Sequence, residues 1–529
     1  MENIEKKIKN LRYNTSKIDV SLSLYVYYIH KDNFKKAEDI FKKFLLFIAD
    51  EPIPITRSKR LHESITFLLK FSHIQRIRTK VPILIKQIEN PFFKLDAKLE
   101  QLNQTSKNEE ESSLKQNVDI IDKELENSFN INFLLALFTI LNPKNKKNSL
   151  ISFIDQNSID TLFKKFLTYI SKIAVEKKLE NLFNIALKRF DLIQLKIYKD
   201  ETLRDVFNNY YLFLNKMRGI KSASQIYNLS KKIKNKSYWA ETLYNYSICL
   251  RFNDNVKEII DILENLTSTI KDLGGEFSRA VVIKESLKII QNLNVDSKIT
   301  EYIQKFEMLS NDYQGHYSSL LIKIQLVQTL YNLNKYEKSK NILKELIKYS
   351  FLIIEDNLIV NICQKIIKLF PKLEKIIEID LIDYFISKII ELKNPLLKAH
   401  LLLILAENIK NNNESILKIK QILEKINEPY LSHNIMYFDH LYPISRFLMM
   451  HAFDMNDQEL INKPNLIFKN LYSKKNECKL ILEMIKQLKL TNHTELLSNY
   501  LSKFYEELDK ITNEFQKKEV IVEFIEIMK

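Results

Sequence analysis

Residues 256–275 read VKEIIDILENLTSTIKDLGG. Val256, Ile259, Ile260, Leu263, Leu266 and Ile270 recur at steps of 3, 1, 3, 3 and 4 residues. Those steps put all six on one face of a helix with 3.6 residues per turn. Gly274-Gly275 then closes the helix, because glycine takes the left-handed cap that other residues resist. The next segment opens a second face with Phe277, Ala280, Val281, Leu287 and Ile290. Strand-like alternation is not sustained anywhere in the chain.

The same punctuation returns across Phe252–Ile409. A bulky residue ends a helix and a turn residue follows, at Phe252-Asn253, Leu293-Asn294, Leu333-Asn334, Phe370-Pro371 and Ile409-Lys410. The gaps between these marks are 41, 40, 37 and 39 residues. Outward from this stretch the rhythm extends to both ends of the chain, giving about a dozen helix pairs. A single pair cannot bury its apolar face, whereas stacked neighbours bury a continuous core. The expected fold is therefore all-α, a right-handed α-solenoid of about a dozen stacked antiparallel helix pairs. Only four Gly and ten Pro in 529 residues agree with it, since hairpins and phosphate loops consume glycine.

Three boundaries organise the expectation. Residues 1–100 hold N-terminal helical pairs with a basic stretch. Residues 101–113, QLNQTSKNEEESS, are polar enough for a loop or linker. Residues 114–529 carry the helical-repeat superhelix. Three units resemble the second helix of the tetratricopeptide (TPR) repeat, in which an aromatic is followed by a small residue and then another large one. Phe34, Ala37 and Phe41 carry the resemblance fully; Tyr336, Ser339 and Leu343, and Ile220, Ala223 and Tyr227, carry it in part. The longer period is similar to HEAT-like repeats. The resemblance implies a scaffold whose concave face holds a peptide or another protein.

The formal charge is +15, from 81 Lys+Arg against 66 Asp+Glu. Lys, Asn and Ile are abundant, a composition that an AT-rich genome produces without selection for an acidic partner. Two stretches nevertheless concentrate the charge. Residues 57–86 hold eight cations against Glu63 alone, among them Arg57, Arg60, Arg76, Arg78 and Lys80. Residues 216–236 hold seven cations and no acid, among them Arg218, Lys221, Lys231, Lys232 and Lys234. Such stretches suit RNA, DNA or an acidic protein; they equally suit a solvated helix face.

Other candidate chemistry is sparse. His433, Asp439, His440 and His451 lack the tight spacing of a metal site and are read as structural or surface residues. Tyr238, Trp239, Tyr244 and Tyr246 can stack bases or pack between helices. No glycine-rich phosphate loop, HExxH or GxSxG is present, so no catalytic activity and no cofactor are expected. Cys249, Cys363 and Cys478 are far apart, and no apolar run reaches the ~20 residues of a membrane span. A cytoplasmic protein-interaction scaffold is the expected function, with an anion-binding repeat protein as the alternative.

Overall fold

The structure is a computed structural model. It describes residues 1–141, 156–217, 227–251, 255–273, 275–291, 293, 297–311, 316–409, 413–427, 438–454, 473–490 and 494–529. Among them no strand occurs, and the fold is all-α, built of stacked antiparallel helix pairs as in an α-solenoid. The helices fall into two compact units, residues 1–254 with 512–529, and residues 255–511.

The first unit contains α1 (Glu2–Lys9), α2 (Asn14–His30), α3 (Phe34–Ala49), α4 (Pro54–Leu69), the short α5 (Gln75–Arg78) and α6 (Val81–Gln87), and α7 (Pro91–Thr105). It continues with α8 (Glu111–Leu141), α9 (Gln156–Lys177), α10 (Glu180–Arg189), α11 (Lys196–Met217) and α12 (Lys236–Arg251). The second unit contains α13 (Val256–Asp272), α14 (Glu276–Ile290), α15 (Ser297–Asn311), α16 (Tyr317–Asn332), α17 (Tyr336–Ser350) and α18 (Asp356–Ile367). It ends with α19 (Ile379–Glu391), α20 (Pro395–Asn408), α21 (Asn413–Asn427), α22 (Phe438–Asp454), α23 (Lys474–Leu490) and α24 (Thr494–Asp509). The last helix, α25 (Glu514–Met528), belongs to the first unit.

The repeat is sharper at helix starts than at helix ends. First helices of successive pairs begin at 156, 196, 236, 276, 317, 356 and 395, steps of 40, 40, 40, 41, 39 and 39 residues. Within each unit these helices pack on one another: α2, α4, α7, α9, α11 and α12 in the first, and α14, α16, α18, α20, α22 and α23 in the second. The core follows the periodicity. Ile259, Leu263, Leu266 and Ile270 are buried on α13, while Val256, at the helix start, is exposed. Ala37 and Ser339, the small residues of the TPR-like pattern, are fully buried three residues into α3 and α17. Ser339 donates a 2.8 Å hydrogen bond to the Val327 carbonyl. The third match lies mostly in residues 218–226, outside the described residues.

Two expectations about punctuation change. Residues 101–113 are mostly helical: α7 runs to Thr105, a 3-10 turn covers Ser106–Asn108, and α8 starts at Glu111. Leu102 and Thr105 are buried there, so the polar run is the outer face of a helix end. Of the helix-end marks, Leu333-Asn334 closes α16 and Phe370-Pro371 forms a 3-10 turn; residues 252–254, 294 and 410 lie outside the described residues.

Candidate functional site

The basic stretch 57–86 occupies α4, α5 and α6, and three of its cations meet carboxylates, two of which come from outside the stretch. Arg57 lies 3.6 Å from Glu89, Arg60 2.6 Å from Glu63, and Lys80 3.0 Å from Glu38. Arg76 is exposed and stacks on Phe34, its guanidinium 3.8 Å from the ring centroid. Arg78 donates to Gln75. The count along the sequence thus overstates the local field, because Glu38 and Glu89 come from outside the stretch.

The second stretch lies between α11 and α12. Arg218 and Lys221 fall outside the described residues. Lys231, Lys232, Lys234 and Lys236 are exposed around the start of α12. Three of the ammonium groups lie over aromatic rings: Lys231 over Tyr227, Lys232 over Phe190 and Lys236 over Trp239. Lys199 covers the same Phe190 ring at 5.1 Å and pairs with Asp191 at 2.7 Å. The intervening helices α7 to α10 separate this edge from stretch 57–86 along the chain.

Between the two runs a ladder of paired charges. His62 of α4 lies 2.8 Å from Asp96 of α7. Asp96 also pairs with Lys165 of α9, which reaches Glu100 at 2.6 Å. Lys164 pairs with Glu201 of α11, and Tyr238 of α12 donates to Glu201 at 3.1 Å. Arg204 stacks on Tyr238 at 4.5 Å and lies 3.6 Å from Glu241. Burial by itself would raise the Asp96 carboxyl, but hydrogen bonds from His62 and Lys165 hold it below its ordinary range. Burial would lower Lys165, but its bonds to Asp96 and Glu100 hold it above. These pairs tie α4, α7, α9, α11 and α12 to one another side by side.

A groove of about 560 Å³ opens between α2, α4 and α25. Leu22, Phe67 and Val522 form its apolar lining. Asp19, Glu63, Glu519, Glu523 and Glu526 supply the polar lining, with Lys518 as the one cation. Lys518 is paired with Asp19 at 2.7 Å, and Glu63 with Arg60 at 2.6 Å. Five carboxylates and one ammonium thus line the groove, on a chain whose net charge is +15. Sequence reading missed it, because its walls come from residues about 500 positions apart. The available signal was the spacing of Glu519, Glu523 and Glu526 at i, i+4 and i+7, one helix face.

Two of the aromatic candidates pack in the interior. Tyr246 is fully buried against Tyr211 and Tyr227, and Trp239 is buried in α12. All three cysteines are buried, and burial pushes the Cys249 and Cys363 thiols up to about 12, far from a reactive thiolate. No group of His, Cys, Asp and Glu suited to a metal ion occurs among the described residues. His433 lies outside them, and Asp439, His440 and His451 lie on α22. No described helix is long and apolar enough to cross a membrane.

No protein-family model matches the chain, and no curated protein matches it in sequence. Among solved structures, a circular tandem repeat protein with novel repeat topology and enhanced subunit contact surfaces is similar at 10% identity, over 95% of this chain and 97% of its own. Its TM-score of 0.17 is too low for the likeness to carry an argument.

Proposed function

We propose that this chain is a non-catalytic scaffold of TPR-like helical repeats that binds another protein. Its partner presents a basic amphipathic helix, which docks in the groove between α2, α4 and α25. One observation carries this reading: an apolar groove with an excess of carboxylates on a chain of net charge +15. The overall field favours anions, so a local acidic rim over apolar floor residues selects against the background. A helix laid in such a groove places aliphatic anchors on Leu22, Phe67 and Val522 and its Lys or Arg on the carboxylates. Matched charge sets register and on-rate, and the apolar contact supplies most of the affinity.

The test is a titration of the full chain with a Leu/Lys amphipathic peptide of about 18 residues, long enough to hold a helix. Glu519→Lys with Glu523→Lys is expected to weaken binding about tenfold or more, the scale of a lost close charge pair. A Leu/Glu peptide should not bind. Equal binding of both peptides, or an unchanged affinity in the variant, would sink the proposal.

A second reading rests on the lysine edge at 231–236, where three of four exposed cations sit over aromatic rings. There the ligand is RNA, DNA or an acidic protein, with Arg57, Arg60, Arg76, Arg78 and Lys80 as a separate basic surface. An RNA oligomer in the same titration decides: affinity that falls steeply with added salt and is lost in Lys232→Glu with Lys234→Glu moves the function to that edge.

A further inference from the structure

The second unit contains a separate cavity of about 310 Å³ lined by α13, α14, α15 and α16. That size is at the lower bound of small-molecule sites. Ile270, Ile283 and Ile322 line it and are nearly fully buried, as is Ala280. No aromatic ring contributes to the lining, so its walls match a flexible saturated chain better than a planar ligand. Lys271, Arg279 and Lys305 also line it, from three different helices. The one carboxylate there, Glu276, faces His316 at 3.2 Å. Arg279 donates from Nε to the Leu273 carbonyl at 2.5 Å, which holds its guanidinium beside the cavity. Among the described residues neither Lys271 nor Lys305 forms an ion pair with a carboxylate.

An apolar cavity beside two cations that are not ion-paired among the described residues fits an amphiphile carrying one negative charge. We infer that this cavity binds a medium-chain carboxylate, its chain against the three isoleucines and its carboxylate between Lys271 and Lys305. A small anion without a chain would leave the apolar walls unfilled. An uncharged chain would forgo both ammonium groups. This site is independent of the groove proposed above, which lies wholly in the other unit.

Isothermal titration of the full chain with decanoate, below its micellar concentration, tests the assignment. One equivalent is expected to bind, acetate should show no heat, and 1-decanol should bind about tenfold more weakly, the worth of one charge-assisted contact. Lys271→Ala with Lys305→Ala changes exposed or half-exposed side chains and leaves the core untouched. It should bring decanoate down to the affinity of decanol and leave decanol unchanged. Ala280→Leu adds side-chain volume inside the cavity and should abolish binding of both. Decanoate binding that survives both variants, or several weak equivalents in the parent chain, overturns the proposal. If Ala280→Leu does not fold, the lysine pair and the decanol comparison still decide.

Discussion

Asp32, Lys178 and Asn334 are non-glycine residues with positive φ, at 54°, 61° and 59°. Each stands two residues before the second helix of a pair, at α3, α10 and α17. The following amide reaches back to the carbonyl five residues earlier in every case: Asn33 to Tyr28 at 2.9 Å, Leu179 to Ala174 at 3.0 Å and Lys335 to Leu330 at 2.9 Å. This is the helix-ending motif in which glycine usually occupies the left-handed position. Asp and Asn tolerate that region through short polar side chains, whereas lysine does not. Lys178 is exposed, so its side chain contributes no packing to offset the strain. Lys178→Gly is therefore expected to stabilise the protein by about 0.5–1 kcal/mol, after allowing for the added freedom of the unfolded chain. Asn334→Gly should gain less. Urea melts of the two variants measure this; a lower midpoint for Lys178→Gly would mean that the lysine has a role the turn does not reveal.

At the level of helices, the even 40-residue step has a cause in side chains that bind the start of the next helix. Asp160, the fifth residue of α9, is fully buried and accepts the amides of Gln194 at 3.2 Å and Leu195 at 2.7 Å, just ahead of α11. Asp200, the fifth residue of α11, accepts those of Lys234 at 3.2 Å and Asn235 at 2.9 Å, just ahead of α12. Ser58, the fifth residue of α4, accepts the Asn90 amide ahead of α7 at 3.1 Å. Free amides at a helix start need acceptors, and here the neighbouring repeat supplies them. Removing a buried carboxylate that holds two amides costs about 2–3 kcal/mol, so Asp160→Ala should lower stability by that amount and Ser58→Ala by about 1 kcal/mol. A change in Asp160→Ala no larger than that of exposed Asp119→Ala would count against the device. Periodicity made the helices and their stacking legible, because apolar spacing acts within one element. The capping residues were not legible, since Asp200 in isolation looks like any helix acid; only the recurrence of Asp160 and Asp200 at 40 residues hinted at them. Charge counting along residues 57–86 is incomplete for a related reason: the fold brings Glu89 to Arg57 and Glu38 to Lys80.

The longest-range arrangement in the molecule joins the two ends of the sequence within the first unit. Helix α25 packs on α2, burying Val520, Ile521, Phe524 and Ile525. Glu514 accepts the amides of Arg12 at 2.7 Å and Tyr13 at 2.8 Å, just ahead of α2. Phe515 stacks on Tyr13, and Lys518 pairs with Asp19. A carboxylate on one helix thus serves the start of its neighbour, as Asp160 and Asp200 do, and α25 takes the place of the repeat preceding α2. Nothing local in the sequence announces a contact between residues 500 positions apart. It also forms one wall of the proposed peptide groove, so the groove exists only once the C-terminal helix is in place. Removal of residues 512–529 would expose the α2 face that those four side chains cover, each worth about 1.5–3 kcal/mol when fully buried. Hydrogen exchange should then show lost protection across residues 14–30 and 54–69, with residues 317–350 of the other unit unchanged. A synthetic peptide of residues 512–529 added to the truncated chain should restore protection, and the Glu514→Ala peptide should do so more weakly, by about 1 kcal/mol for the lost capping bonds. Protection across residues 14–30 that is indifferent to both truncation and peptide would show that α25 closes nothing, and the groove would lose its third wall as a functional feature.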